Sequence, residues 1–278
     1  MKKNLLLKLM SAMLCVCLLA GTLAGCSGNK AQTDTSGETS EDVAASEEIP
    51  AEALEELTNG YDPEVDTNLD AERSDSGDAS LAGAVITING EKVTFSNSKL
   101  IADYKISPNK NNPNDPNTPH RNHKIDTITI HCSAGVTQVY AIANLYSKSA
   151  TEASVNYAIG SDGKILMILE EKDRSWASGN SANDNRAVTI EVASEVNSPY
   201  AVTDEAYKAL IKLVTDICQR NNIEKLVWSE DSATRIKHLD GANMTVHRDF
   251  ANKACPGDYL YSRMGDIASQ VNKNLGVE

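Results

Sequence analysis

The chain has 278 residues, 41% of them apolar and 5% aromatic, with a net charge of −13, which is room for one globular domain and more. The acidity is local: residues 27–80 hold sixteen Asp and Glu against Lys30 and Arg73, so residues 81–278 are close to neutral and a nucleic-acid partner loses its electrostatic basis. Cys15, Cys17 and Cys26 fall in the first 26 residues, leaving Cys132, Cys218 and Cys255, an odd number that argues against a disulfide framework but leaves a Cys132–Cys218 bridge open in an oxidising compartment.

Lys2, Lys3 and Lys8 precede a short apolar core, Leu9 to Ala20, too brief to span a membrane. The run ends in Leu23-Ala24-Gly25-Cys26, which resembles a bacterial lipobox. Residues 1–25 therefore read as a lipoprotein signal peptide and Cys26 as a lipidated N-terminus, with the mature chain anchored on the outer face of a cell membrane. An ordinary secretory signal cut after a small residue is the competing reading. Residues 26–80, rich in Ser, Thr, Glu, Asp and Ala, bury too little surface to offset chain entropy and read as a disordered acidic tether, with a reach of roughly 40 Å.

Residues 81–104 read as a short hairpin, Val85-Ile-Thr-Ile88 and Lys92-Val-Thr-Phe95 about an Asn89-Gly90 turn. Asn109 to His123 is Asn- and Pro-rich loop, and its His120 and His123 are expected to be solvated. Ile125 to His131 alternates as a strand, with Thr127, Thr129 and His131 on one face and Ile128, Ile130 and Cys132 on the other. A helix capped by Thr137 is expected through about Ser149, with Ile142 and Tyr146 on its apolar stripe. Strands follow at 154–160 and 164–169 about Asp162-Gly163, then at 187–193. Thr203 caps a helix to about Asn221, and a last helix covers about 258–274. Residues 105–278 thus form one α/β domain, a mixed central sheet flanked by helices.

His131, His247 and Cys255 are the donor types that hold zinc with one position left open for hydrolysis. The His-x7-Cys spacing alone is weak, since a lone His is more often a hydrogen-bonded structural residue and Cys255 before Pro256-Gly257 reads equally as a buried thiol. Glu191, taken alone, would be a capping or pairing residue at a strand end.

Three ordered blocks change that balance: Ile125-Asp-Thr-Ile-Thr-Ile-His131, Trp176 through Asn183 to Glu191, and Thr245-Val-His-Arg-Asp-Phe250 with Lys253-Ala-Cys-Pro-Gly257. Together, over roughly Ile106 to Tyr261, they resemble the zinc-dependent N-acetylmuramoyl-L-alanine amidases of phage-lysozyme and peptidoglycan-recognition type, above all the amidase domains of endolysins from phages of Gram-positive hosts. The resemblance implies one Zn2+ held by His131, His247 and Cys255, and cleavage of the amide between the lactyl group of N-acetylmuramic acid and L-alanine by a zinc-activated water. By position it makes Glu191 the general base and Lys253 the stabiliser of the oxyanion. It places Trp176 and Asn183 where relatives shape a substrate groove, although ordinary packing explains Trp176 equally well.

The chain departs from some relatives. A catalytic tyrosine found in certain members falls at Val155; Tyr157, two residues on, shares its face if the strand alternates strictly, so it is a groove candidate, with core packing the stronger reading. Cys132 replaces a second histidine and reads as a core thiol facing away from the metal. The expected partners are peptidoglycan or muropeptides and, through the lipid anchor, a membrane; the expected state is a monomer, acting in cell-wall remodelling as an autolysin. A non-catalytic recognition lipoprotein is the rival, against which the presence of Cys255 counts.

Overall fold

The computed structural model describes residues 82–88, 91–95, 98–111 and 120–277. The signal peptide with Cys26, the acidic tether and the Asn89-Gly90 turn lie outside the described residues. Strands β1 (Val85–Ile88) and β2 (Glu91–Thr94) pair antiparallel, in register from Val85 with Thr94 to Ile88 with Glu91. Val93 and Phe95 are buried, and Phe95 meets Tyr104 edge-on at 4.7 Å, so the hairpin packs onto the main core.

The main sheet has six strands. In chain order they are β3 (Asp103–Tyr104), β4 (Thr127–Cys132), β5 (Tyr157–Ile159), β6 (Ile165–Met167), β7 (Ala187–Val192) and β8 (Met244–Val246), arranged β3-β6-β5-β7-β4-β8. All neighbours are parallel except β5 and β6, which form a hairpin whose turn glycine, Gly163, takes φ +79° where a side chain would be strained. Every residue of β4 and β7 is buried, as central parallel strands require.

Helices cover both faces. On one lie α1 (Val139–Tyr146) and the short α2 (Ser181–Arg186); on the other, α3 (Asp204–Arg220) packs with α6 (Met264–Leu275) over Ile128, Ile130, Ile190 and Val246. Helix α3 begins where Thr203 Oγ1 accepts from Ala206 N at 3.2 Å, with Asp204 and Glu205 set against the positive helix end. Two short helices complete the fold, α4 (Ser232–Ile236) and α5 (Gly257–Tyr261).

The structure departs from sequence expectation in three places. Gln138, not Thr137, precedes α1, because the Thr137 carbonyl accepts from Ser161 N in the β5–β6 turn. The single C-terminal helix is two, α5 and α6: Arg263 N bonds to Leu260 O, and the Tyr259 carbonyl is met instead by the Arg263 guanidinium at 2.9 Å. Strand β5 is shorter than its sequence pattern, because the Asn156 carbonyl accepts from both Ile168 N and Leu169 N, and the Asn156 amide side chain bonds Thr189 N and Glu170 O.

Candidate metal centre

The site forms at the carboxyl edge of the sheet, where three parallel strands end side by side. His131 is the fifth residue of β4, and its register partner on β7 is Glu191. Residues paired this way point to the same face about 4.8 Å apart. Strand β8 pairs with the other side of β4 and hands directly into a 3-10 turn, His247–Asp249, which swings His247 over the same edge. That turn is braced from below: Asp249 Oδ2 accepts from Val246 N at 3.1 Å, and the Asp249 carboxylate pairs with the fully buried Arg235, whose guanidinium stacks on Trp228 at 4.1 Å.

The loop after this turn returns Cys255. Its Sγ stands 3.5 Å from His131 Nδ1 and accepts from Cys132 N at 3.4 Å, while the Cys255 carbonyl accepts from Arg248 N at 3.1 Å. The His131 and His247 rings lie 5.1 Å apart, centre to centre. One donor atom from each of the three residues falls within 4.8 Å of the others.

These residues fit a zinc ion on their own chemistry. Ligands on a tetrahedral zinc stand roughly 3.3–3.8 Å apart, so the observed donor set needs only a slight closure. The Nε2 atom of His131 is buried and has no hydrogen-bond partner. Burial, then the neighbouring His247, holds His131 well below the usual histidine range; burial, then Lys253, lowers His247. Both rings are thereby kept neutral, the form that ligates metal. Burial, followed by the Cys132 thiol and Glu191, pushes the Cys255 thiol well up, and a dication beside the sulfur is what favours the thiolate there.

Around the donors is a cavity of about 330 Å3. Glu191 and Lys253 line it beside the three donors, and its walls are Tyr146, Val155, Trp176 and Tyr200 with smaller apolar residues. Glu191 is 6% exposed. Burial raises its carboxyl to about 7, opposed by a hydrogen bond from Tyr146 OH to Oε2 at 2.9 Å. Trp176, 38% exposed, stands at the cavity mouth.

Two groove candidates do not reach the cavity. Tyr157 is fully buried on the α3 face, its hydroxyl donating to Glu171 Oε1 at 2.7 Å. The alternation that would have put it beside Val155 is interrupted at Asn156, so Ala158, the register partner of Glu191, takes the Val155 face instead. Asn183 is 3% exposed and closes a buried ring with Thr129 and Thr245 beneath the site. Asn180 caps α2 by accepting from Asn183 N at 3.0 Å, and that cap directs the Asn183 amide inward.

The remaining expectations resolve simply. Cys132 is buried in the core cluster as expected, but its thiol meets that of Cys255 and it also lines the cavity, so it does not stand clear of the donors; Cys132, Cys218 and Cys255 are all free thiols. His120 is paired with the buried Asp173 rather than solvated. Sequence reasoning missed Tyr146 and Tyr200 as cavity residues; Tyr146 read as one more member of the α1 apolar stripe.

Residues 121–258 match the family model described as N-acetylmuramoyl-L-alanine amidase. Similar solved structures include the Staphylococcus aureus hydrolase AmiA in complex with its ligand, 16% identical with a TM-score of 0.44, the match covering 63% of this chain and 85% of that one. Another is the N-acetylmuramoyl-L-alanine amidase LysC from Clostridium intestinale URNW, 16% identical with a TM-score of 0.41 over 63% of this chain and 98% of that one. A mutant endolysin from Bacillus subtilis is 18% identical, with a TM-score of 0.40 over 62% and 99%. No curated protein sequence matches the chain.

Proposed function

We propose that the protein, whose residues 121–258 match the family model described as N-acetylmuramoyl-L-alanine amidase, is a zinc-dependent hydrolase of peptidoglycan. It cuts the amide between the lactyl carbonyl of N-acetylmuramic acid and the amino group of L-alanine. The observation that carries this reading is the convergence of His131, His247 and Cys255 with Glu191 and Lys253 in one cavity.

His131, His247 and Cys255 would hold the zinc, leaving the cavity side for water and substrate. Zinc supplies Lewis acidity there, making water a competent nucleophile near neutral pH and polarising the amide carbonyl. Glu191 does the proton work: its carboxylate accepts a proton from the attacking water and returns it to the leaving nitrogen, so that one water and one amide become a lactyl carboxyl group and a free L-alanine amine. Burial raises this carboxyl above the usual carboxylate range, which favours its taking up the proton. Lys253, beside His247, meets the negative charge that develops on the carbonyl oxygen. Trp176 and the apolar wall hold the substrate and exclude bulk water.

Incubation of the protein with purified peptidoglycan, with a chelator and with zinc restored, tests the reading by mass spectrometry. The expected result is zinc-dependent release of stem peptides with a free N-terminal L-alanine. Binding to the wall without release, by folded zinc-loaded protein, would favour a recognition role instead.

The lipobox at Leu23–Cys26 supports an extracytoplasmic, lipid-anchored location. Replacing Cys26→Ser should then move the protein from the membrane fraction to the soluble one; an unchanged distribution would reject the anchor.

A further inference from the structure

Tyr146 ends α1, and its side chain lines the cavity beside Glu191 and the three donors. Its hydroxyl donates to Glu191 Oε2 at 2.9 Å, an interaction between residues 45 apart in the chain. The end of α1 is fixed by side chains that satisfy its terminal carbonyls. Ser107 Oγ donates to Tyr146 O at 2.6 Å and Thr151 Oγ1 to Leu145 O at 2.6 Å, while Asn109 Nδ2 holds the chain just beyond the helix by donating to Lys148 O at 2.9 Å. A tyrosine so anchored is a rigid donor, whereas a leucine in its place would fill the same wall without touching the carboxyl's oxygens.

We propose that Tyr146 is a positioning residue for Glu191, an inference that rests on the amidase reading above. A hydrogen bond held at Oε2 fixes the carboxyl's rotation and so fixes where Oε1 stands. With Oε2 occupied by the phenol in both protonation states, the proton from water is taken up at Oε1 and handed from Oε1 to the leaving nitrogen. The carboxyl need not turn between the two transfers. Tyr146 gives up no proton itself; its O–H stays on the phenol throughout.

Tyr146→Phe deletes the hydroxyl and keeps the ring, so folding and the cavity wall are retained. In the zinc-loaded protein acting on peptidoglycan fragments, kcat should fall about tenfold, the scale of one hydrogen bond to a charged acceptor. KM should stay within about twofold, with zinc content unchanged and any fall in Tm small enough to leave the protein folded at the assay temperature. In a Glu191→Gln background the same change should cost less than about twofold, because the group being positioned is already disabled. An unchanged kcat, a loss that tracks zinc content or Tm, or an equal loss in the Glu191→Gln background would overturn the proposal. Failure of the unaltered protein to release L-alanine-terminated peptides refutes the amidase reading and this inference with it; an active protein with an indifferent Tyr146→Phe variant refutes this inference alone.

Discussion

The two faces of the central sheet are built from the same strands and do opposite things. On β4, Ile128, Ile130 and Cys132 face α3 and α6, while Thr129 and His131 face the other way. Strand β7 repeats the division with Val188, Ile190 and Val192 against Thr189 and Glu191, and β8 with Met244 and Val246 against Thr245. Both faces are buried, so the difference is not one of exposure. On these three strands one face is held by apolar packing, which asks only for shape and volume, while the other must pair the hydroxyls it buries; farther along that second face, α1 packs on Ala158, Leu166 and Ile168 in an apolar cluster of its own. The two-residue period of a strand lets a single segment serve both needs, and the parallel arrangement brings His131, Glu191 and His247 to the same carboxyl edge, where open α/β sheets place their ligands.

The sharpest way to break this division is to change each face and read both stability and turnover. Glu191→Gln should lower kcat by about 10²- to 10⁴-fold, the range for loss of a general base, measured as release of L-alanine-terminated peptide. Its Tm should hold or rise, because burial raises the carboxyl from 4.5 to about 7, so its cost to stability builds between those pH values and is full above about 7. Ile130→Ala, one residue before His131 but on the opposite face, should cost about 2–5 kcal/mol by chemical denaturation. Turnover per folded, zinc-loaded molecule should stay within about threefold. If Glu191→Gln unfolds the protein as readily as Ile130→Ala does, or if Ile130→Ala abolishes turnover while still folded, the two faces are not separable in this way.

What could be read from the sequence follows the same line. The strand face of β4 was legible because Thr and Ile alternate without interruption from Thr127 to Ile130, just before His131, and the cap of α3 because Thr203 precedes Asp204 and Glu205. The positions of His131, Glu191, His247, Lys253 and Cys255 came from motif order, and the structure gathers those five around one cavity. Tyr157 is the core residue that was the stronger reading, but its face was misjudged because period-two counting assumes an unbroken strand, and nothing in Ser154-Val-Asn-Tyr announces that the Asn156 carbonyl will accept from two donors at once. Asn183 was misplaced because the six-residue α2 has no apolar periodicity to betray it, although Asn180 three residues before Asn183 is a cap signature that points to a helix there. The role of Tyr146 was hidden for a different reason: an apolar stripe shows which side of a helix is buried but not which distant carboxyl lies beneath it.

The smallest of the expected effects tests whether the polar face is more than filler. Thr129 Oγ1 lies 2.8 Å from Thr245 Oγ1, Asn183 Nδ2 donates to Thr129 Oγ1 at 3.0 Å, and Thr245 Oγ1 donates to Asn183 Oδ1 at 2.9 Å, so three side chains close a ring. Thr129 is two residues before His131 and Thr245 two before His247, which puts the ring one strand period below both histidines and ties the strands that present them. Asn183→Ala removes one partner from each of two buried hydroxyls, which keep only each other, and should cost about 1–3 kcal/mol, seen as a Tm lowered by several degrees. If the ring only fills space, the loss ends there. If it sets the spacing of the two ligand strands, zinc affinity measured by competition with a chelator should fall as well, by about tenfold, the lower end of what outer partners of metal ligands contribute. An Asn183→Ala protein that melts earlier but binds zinc as tightly as before would confine the work of the polar face to its carboxyl edge.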